Sequence, residues 1–170
     1  MDDRHFPTSG TISVAAALLI VSALLMVTPL NLFGGNVPTP VLPLIVIFLY
    51  GLDRPGSLPP ALTFGTGLMM DLLFGAALGP WACILLFTHA LIIWQRSYFA
   101  GRDTVVLTTG FGIAALAGMF FFWIIMSIVM QRVLPLGGVF FQTLVTVLLF
   151  PLCLTVFRRT IGRQRPSMVA

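Results

Sequence analysis

The chain has 170 residues, of which 58% are hydrophobic and only 8% are charged. Soluble domains are about half apolar and a quarter charged, so this composition, with a mean hydropathy of +1.05, excludes a soluble domain and indicates a polytopic membrane protein. The net charge of +4 comes from nine arginines and no lysine, and nearly all charges lie between apolar runs. The basic balance therefore reflects membrane topology, and we expect no nucleic-acid partner.

Six apolar runs follow one another along the chain. They predict one domain, residues 1–170, that is an all-α membrane protein: a compact bundle of six transmembrane helices at about residues 11–30, 37–52, 58–75, 80–95, 104–130 and 138–157. The first run is longer than the apolar region of a signal peptide, about 7–15 residues, and no A-x-A-like site follows, which favours a retained span over a cleaved signal. The second run is short and rich in proline, so a tilted, kinked or re-entrant segment is the alternative to a full crossing.

The arginines are distributed unevenly between the two sides of this six-span plan. Eight of them fall on the side of the two termini, and Arg132 alone falls on the other. Because cytoplasmic loops carry the excess of basic residues, the N- and C-termini are predicted to be cytoplasmic. The four arginines of the C-terminal tail are expected to serve this topology first, with contact to anionic lipid headgroups as a second role.

Residues 57–95 form one apolar stretch, long enough for two spans, whose only ionisable residues are Asp71 and His89. The segment G-A-A-L-G-P, residues 75–80, supplies the break between the spans. Its glycines accept positive φ, and Pro80 suits the first turn of a helix. The sequence therefore predicts a helical hairpin with its turn at these residues.

Asp71 is the candidate functional residue, because a charged aspartate near the bilayer centre costs about 2.5–3.5 kcal/mol on insertion scales and should face protein or a wet cavity. It shares one helix face with Thr63, Gly67 and Gly75, which recur every four residues. Three roles are open: a polar anchor within the bundle or to a partner helix, a helix-terminus or re-entrant-turn role, and proton or cation coupling. His89 is either a polar partner of Asp71 or a satisfied core histidine.

A second small-residue face is formed by Gly110, Ala114 and Gly118, which are spaced by four residues. Such a stripe allows another backbone to approach closely, either a span of this chain or the helix of a partner. The sequence lacks catalytic motifs, paired carboxylates and a phosphate-binding loop, and one aspartate with one histidine falls short of the three or four ligands of zinc. We therefore expect no catalytic residue, no metal, no cofactor and no enzymatic activity. Cys83 and Cys153 lie inside apolar runs and are expected to be buried thiols.

The hairpin sequence G-L-M-M-D-L-L-F-G-A-A-L-G-P-W-A resembles the signature of the MreD family of bacterial rod shape-determining proteins, G-L-x-x-D-x-x-x-G-x-x-L-G. The matching positions are Gly67, Leu68, Asp71, Gly75, Leu78 and Gly79. The proline-led second run, P-L-I-V-I-F-L-Y, is also similar.

The resemblance implies a non-catalytic scaffold subunit of the cell-elongation complex in the bacterial inner membrane. Such a subunit docks the transmembrane helix of MreC, a bitopic protein, and helps couple the MreB cytoskeleton to RodA and a class B penicillin-binding protein. The family is also thought to be similar in fold to the substrate-binding subunits of energy-coupling-factor transporters. A vitamin-binding membrane subunit of such a transporter is therefore the alternative function.

Overall fold

The computed structural model of the protein describes residues 9–27, 39–75, 77–99 and 102–161, and no strand occurs in these ranges. Six α-helices follow one another along the chain, and we number them in that order: α1 (Ser9–Val27), α2 (Leu42–Asp53), α3 (Pro60–Phe74), α4 (Pro80–Phe99), α5 (Thr104–Val129) and α6 (Leu136–Ile161). A short 3-10 turn, Pro55–Ser57, joins α2 to α3. The prediction of an all-helical protein is confirmed for this part of the chain.

Four of the helices, α1, α4, α5 and α6, are long and apolar enough to cross a membrane. The chain is therefore a multi-pass membrane protein by the length and composition of its helices. The apolar helices α2 and α3 have 12 and 15 residues. At 1.5 Å per residue they are about 18 and 22 Å long, less than the hydrocarbon core of about 30 Å.

The predicted second and third spans, residues 37–52 and 58–75, are longer than helices α2 and α3, and residues 37–38 lie outside the described residues. Helix α2 begins only at Leu42, because Pro40 and Pro43 lack the N–H that a helix interior requires and are tolerated only before or within a first turn. Helix α3 ends at Phe74, where the next residue adopts a left-handed conformation. The predicted cytoplasmic termini, residues 1–8 and 162–170, lie outside the described residues.

The short helix α2 lies in the centre of the bundle and contacts α1, α4, α5 and α6. Eight of its twelve residues are buried, which fits a helix that is apolar on all sides. An aromatic cluster fixes it there: the Phe48 ring lies edge-on to Phe111 and to Phe150, with centroids 5.3 Å away in both cases. Phe111 and Phe150 stack at 4.3 Å. The cluster joins α2, α5 and α6, and each pair adds about 0.5–1.5 kcal/mol beyond its burial.

Side chains of α6 satisfy the backbone at the start of α2, which has no side-chain cap of its own. The hydroxyl oxygen of Thr146 accepts a hydrogen bond from the Val41 N–H at 3.0 Å and donates to the carbonyl of Gln142. The Gln142 amide donates to the Thr39 carbonyl at 2.9 Å. These polar contacts fix the register of α2 against α6.

Candidate functional site

Helices α3 and α4 form the predicted antiparallel hairpin. Gly75 follows the last residue of α3 with φ +61°, and its N–H donates to the Leu72 carbonyl at 3.2 Å. Gly79 has φ +117°, and α4 begins at Pro80. Both glycines adopt backbone conformations that other residues rarely adopt, so the predicted break is confirmed together with its physical cause.

The carboxylate of Asp71 lies inside this hairpin and is fully buried. Its Oδ2 accepts hydrogen bonds from the backbone N–H groups of Gly79 at 2.8 Å and Ala82 at 3.3 Å. Its Oδ1 accepts a hydrogen bond from the N–H of Trp81 at 2.9 Å. All three donors belong to the beginning of α4, so a side chain of one helix binds the backbone of the next.

These three bonds satisfy every free donor at the start of α4. The first intrahelical bond runs from the Cys83 N–H to the Gly79 carbonyl at 2.8 Å, so no N–H group of residues 79–82 has a partner in the helix. Pro80 has no N–H at all, and the other three residues donate to Asp71. An N-cap side chain normally comes from the capped helix itself. Here the cap comes from the preceding helix, and we call this arrangement the cross-helix cap.

The beginning of α4 also provides a favourable electrostatic environment for the carboxylate. A helix N-terminus carries a partial positive charge of about half an elementary charge, and it stabilises a nearby anion by about 0.3–2 kcal/mol, most strongly where the site is buried. Of the three roles left open for Asp71, the structure therefore supports the helix-terminus role. Three of the roughly four lone-pair positions of the carboxylate are already occupied.

Gly67 allows the two helices to come close enough for this cap. A Cβ atom at this position would lie 2.7 Å from the backbone nitrogen of Ala82 and 2.8 Å from the carbonyl oxygen of Trp81. Any other residue would therefore push α4 away from α3. Because Gly67 lies one turn before Asp71 on the same face, the close approach places the carboxylate beside the N–H groups that it binds.

His89 is buried, and its Nδ1 lies 3.1 Å from the hydroxyl oxygen of Thr63. Thr63 precedes Asp71 by eight residues, which is about 12 Å along the axis of α3. The antiparallel hairpin therefore places His89 opposite the beginning of α3 and Asp71 opposite the beginning of α4. The Asp–His pair considered from the sequence is not formed, and His89 is a core histidine with a threonine partner.

The second small-residue face, on α5, packs against α4 of the same chain. A Cβ atom at Gly110 would overlap the ring of Phe99, and one at Gly118 would lie 2.7 Å from the hydroxyl oxygen of Thr88. Ala114, between the two glycines, is buried. Of the two alternatives for this face, the structure supports packing within the chain, since α4 already occupies the surface that a partner helix would need.

Two of the cap donors, Trp81 and Ala82, were not identified from the sequence as parts of the site. Pro80 was predicted to begin the second helix of the hairpin, but not as part of a cap. The available signal was the Gly-Pro pair at the start of a helix, eight residues after a buried acid. No group of three or more histidine, cysteine, aspartate or glutamate side chains that could hold a metal ion occurs in the described residues. The arrangement joins two helices, and Asp71 is fully buried within it.

No protein-family model matches the chain, and no match is found among the curated proteins or the solved structures.

Proposed function

We propose that the protein is a non-catalytic scaffold subunit of the bacterial cell-elongation complex, of the MreD type, in the inner membrane. It docks the transmembrane helix of an MreC-like bitopic protein and helps couple MreB to RodA and a class B penicillin-binding protein. In this proposal the chain crosses the membrane six times with both termini in the cytoplasm. Helices α2 and α3 then make their crossings together with the non-helical residues at their ends.

The cross-helix cap is the observation that carries this proposal. Four residues of the MreD-like motif have a structural role, since Gly67 allows close approach, Asp71 caps α4, and Gly75 and Gly79 adopt positive φ. The motif thus encodes a rigid hairpin. A carboxylate committed to three backbone donors suits a scaffold better than it suits ion coupling or ligand binding.

The alternative of a vitamin-binding transporter subunit has weaker support. A small-molecule site needs a few convergent polar groups within an apolar pocket. A groove beside α2 that is lined by described residues has apolar side chains and one tyrosine on its walls. The polar residues considered for a ligand, Asp71 and His89, are each buried against the opposite helix of the hairpin and lie about 12 Å apart along it.

The structure also changes where a partner helix is expected to dock. The small-residue faces of α3 and α5 contact α4 and are closed to a partner. The outer faces of the long helices carry exposed large apolar side chains, among them Val21 on α1, Ile113 on α5 and Leu148 on α6. Helices associate in lipid by close packing and polar contacts, without a hydrophobic driving force, so one of these faces provides the complementary shape.

The proposal is tested by purifying the tagged protein from membranes of its host in mild detergent and identifying the associated proteins by mass spectrometry. We expect a bitopic coiled-coil protein together with wall synthases. A pair of ATPases with a coupling subunit, or a stoichiometric vitamin, would instead identify a transporter component and reject the scaffold.

A photo-crosslinking amino acid placed singly at Val21, Ile113 or Leu148 then locates the docking face. We expect one of the three positions to crosslink to the bitopic partner. Val133, exposed in the turn between α5 and α6, provides the matched control. Equal crosslinking at all positions, control included, would show that no defined docking face exists.

A further inference from the structure

An apolar groove of about 310 Å³ runs between α1, α2 and α6. Leu18 contributes its wall on α1, Leu42, Ile45 and Tyr50 contribute the wall on α2, and Cys153 and Phe157 contribute the wall on α6. Two of its walls, on α1 and α6, belong to helices that are long and apolar enough to cross a membrane. Neither the cross-helix cap nor the proposed scaffold function uses it.

The groove follows α2 from Leu42 to Tyr50, a length of about 12 Å. It is narrow for that length, with a volume of about 310 Å³ in all. A narrow, flexible hydrocarbon chain is the kind of molecule that fits a cleft of this length and volume.

One end of the groove is marked by basic residues. The rings of Tyr50 and Phe157 meet there edge to face, with centroids 5.4 Å apart. Arg54 directly follows α2 at this end, and its N–H donates to the Tyr50 carbonyl at 2.9 Å. Arg159 lies two residues beyond Phe157 and is exposed.

Helical spacing places Arg159 on the groove side of α6. It follows Val156 by three residues and Leu152 by seven, and both of these side chains line the groove. The neighbouring Arg158 is directed elsewhere, because its guanidinium donates to the hydroxyl of Thr104 at 3.1 Å at the start of α5. Two adjacent arginines on α6 therefore have different surroundings, and only one of them lies in line with the groove.

We propose that this groove binds one acyl chain of an anionic phospholipid, whose headgroup is held by Arg54 and Arg159. The apolar walls accept the chain, and the arginines at the end of the groove complement the phosphate. Arg54 also lies 3.8 Å from the carboxylate of Asp53, so Arg159 provides the less compensated positive charge. Basic pockets between membrane helices recognise anionic headgroups by the same chemistry.

The two cysteines of the chain provide a direct assay. Cys153 lines the groove, whereas Cys83 is exposed on α4, so the expectation that both thiols are buried is wrong for Cys83. The purified full-length protein in detergent is treated with N-ethylmaleimide in the presence of phosphatidylglycerol or of phosphatidylcholine with the same acyl chains. Peptide mass spectrometry then gives the alkylation rate of each cysteine.

We expect phosphatidylglycerol to slow the alkylation of Cys153 more than phosphatidylcholine does, with equal rates at Cys83. Arg159→Gln should raise the half-protecting concentration of phosphatidylglycerol about fivefold, the change that corresponds to one arginine near an anionic lipid surface. Arg158→Gln is the matched control and should leave that concentration unchanged. Native mass spectrometry of the wild-type protein should show retained phosphatidylglycerol in preference to phosphatidylcholine.

Three results would overturn the proposal. Equal protection of Cys153 by the two lipids would show that no headgroup is recognised. Absence of protection by either lipid, with no retained phospholipid on the wild-type protein, would show that the groove binds no acyl chain. Equal effects of Arg159→Gln and Arg158→Gln would assign the preference to the general positive charge of this surface.

Discussion

The cross-helix cap makes a quantitative prediction about Asp71. Asp71→Leu places an apolar side chain of similar size inside the hairpin. It removes the acceptor for the N–H groups of Gly79, Trp81 and Ala82. Asp71→Asn retains one carbonyl oxygen and turns an NH₂ group toward at least one of the donors. The two substitutions therefore remove different fractions of the same interaction.

The expected losses follow from the three donors. Each buried N–H left without an acceptor costs about 1–3 kcal/mol, and the anion contributes a further 0.3–2 kcal/mol at the helix terminus. Allowing for incomplete additivity, we expect Asp71→Leu to lower the free energy of unfolding by about 3–6 kcal/mol and Asp71→Asn by about 1–3 kcal/mol. A typical domain has about 5–15 kcal/mol in total, so the Leu variant is expected to lie near the limit of stability.

Unfolding by SDS in mixed micelles, followed by tryptophan fluorescence and circular dichroism, measures these differences. Asp103→Asn is the matched control: Asp103 occupies the N-cap position of α5, but its exposed side chain makes no cap hydrogen bond. Removing its charge should change the free energy of unfolding by less than about 0.5 kcal/mol. If the Asp71→Leu and Asp103→Asn proteins unfold at the same SDS fraction, the cross-helix cap does not stabilise the hairpin.

The same SDS titration checks three further substitutions, one of them with a matched control. Gly67→Ala forces a Cβ into the backbone of α4 and should lower the free energy of unfolding by at least about 2 kcal/mol. Its control, Gly65→Ala, has open space around the new Cβ and should be neutral or slightly stabilising. Equal effects of the two substitutions would contradict the close approach of α3 and α4. Gln131→Gly should raise the free energy of unfolding by about 0.5–1 kcal/mol, because Gln131 has φ +51° in the turn that ends α5. A lower free energy of unfolding would show that the contacts of the Gln131 side chain outweigh the relief of backbone strain. Thr146→Val leaves the Val41 N–H without its acceptor and should cost about 1–3 kcal/mol; an unchanged midpoint would contradict that bond.

The hairpin turn was predictable from the sequence because its causes are local. Two glycines and a proline within six residues permit positive φ and then begin a helix, whatever the rest of the chain does. The role of Asp71 was not predictable to the same degree. It depends on the register of α3 against α4, which is set by contacts between residues that are distant in sequence, such as the approach of Gly67 to Ala82.

The apolar pattern of the chain identified the helices but not their places in the bundle. A helix that is apolar on all sides has the same pattern whether lipid or protein surrounds it, so the central position of α2 had no sequence signal. The same ambiguity applied to the stripe of Gly110 and Gly118. Small residues show that another chain segment approaches, but they do not show which one. Here it is α4, whose Phe99 and Thr88 face Gly110 and Gly118.

The division between interior and exterior faces gives the scaffold proposal a distinctive consequence. Substitutions in the hairpin motif, such as Asp71→Leu, act on folding and should therefore reduce stability and partner recovery together, while the protein still inserts into the membrane. Substitutions on a docking face should affect only the binding of the partner. If Leu148 crosslinks to the partner, Leu148→Ala should reduce the recovery of the partner. The SDS midpoint should be unchanged, because the Leu148 side chain is 68% exposed. An Asp71→Leu protein that has a destabilised hairpin but recovers the partner fully would show that the motif is not needed for the interaction. The resemblance would then indicate a shared fold without the scaffold function.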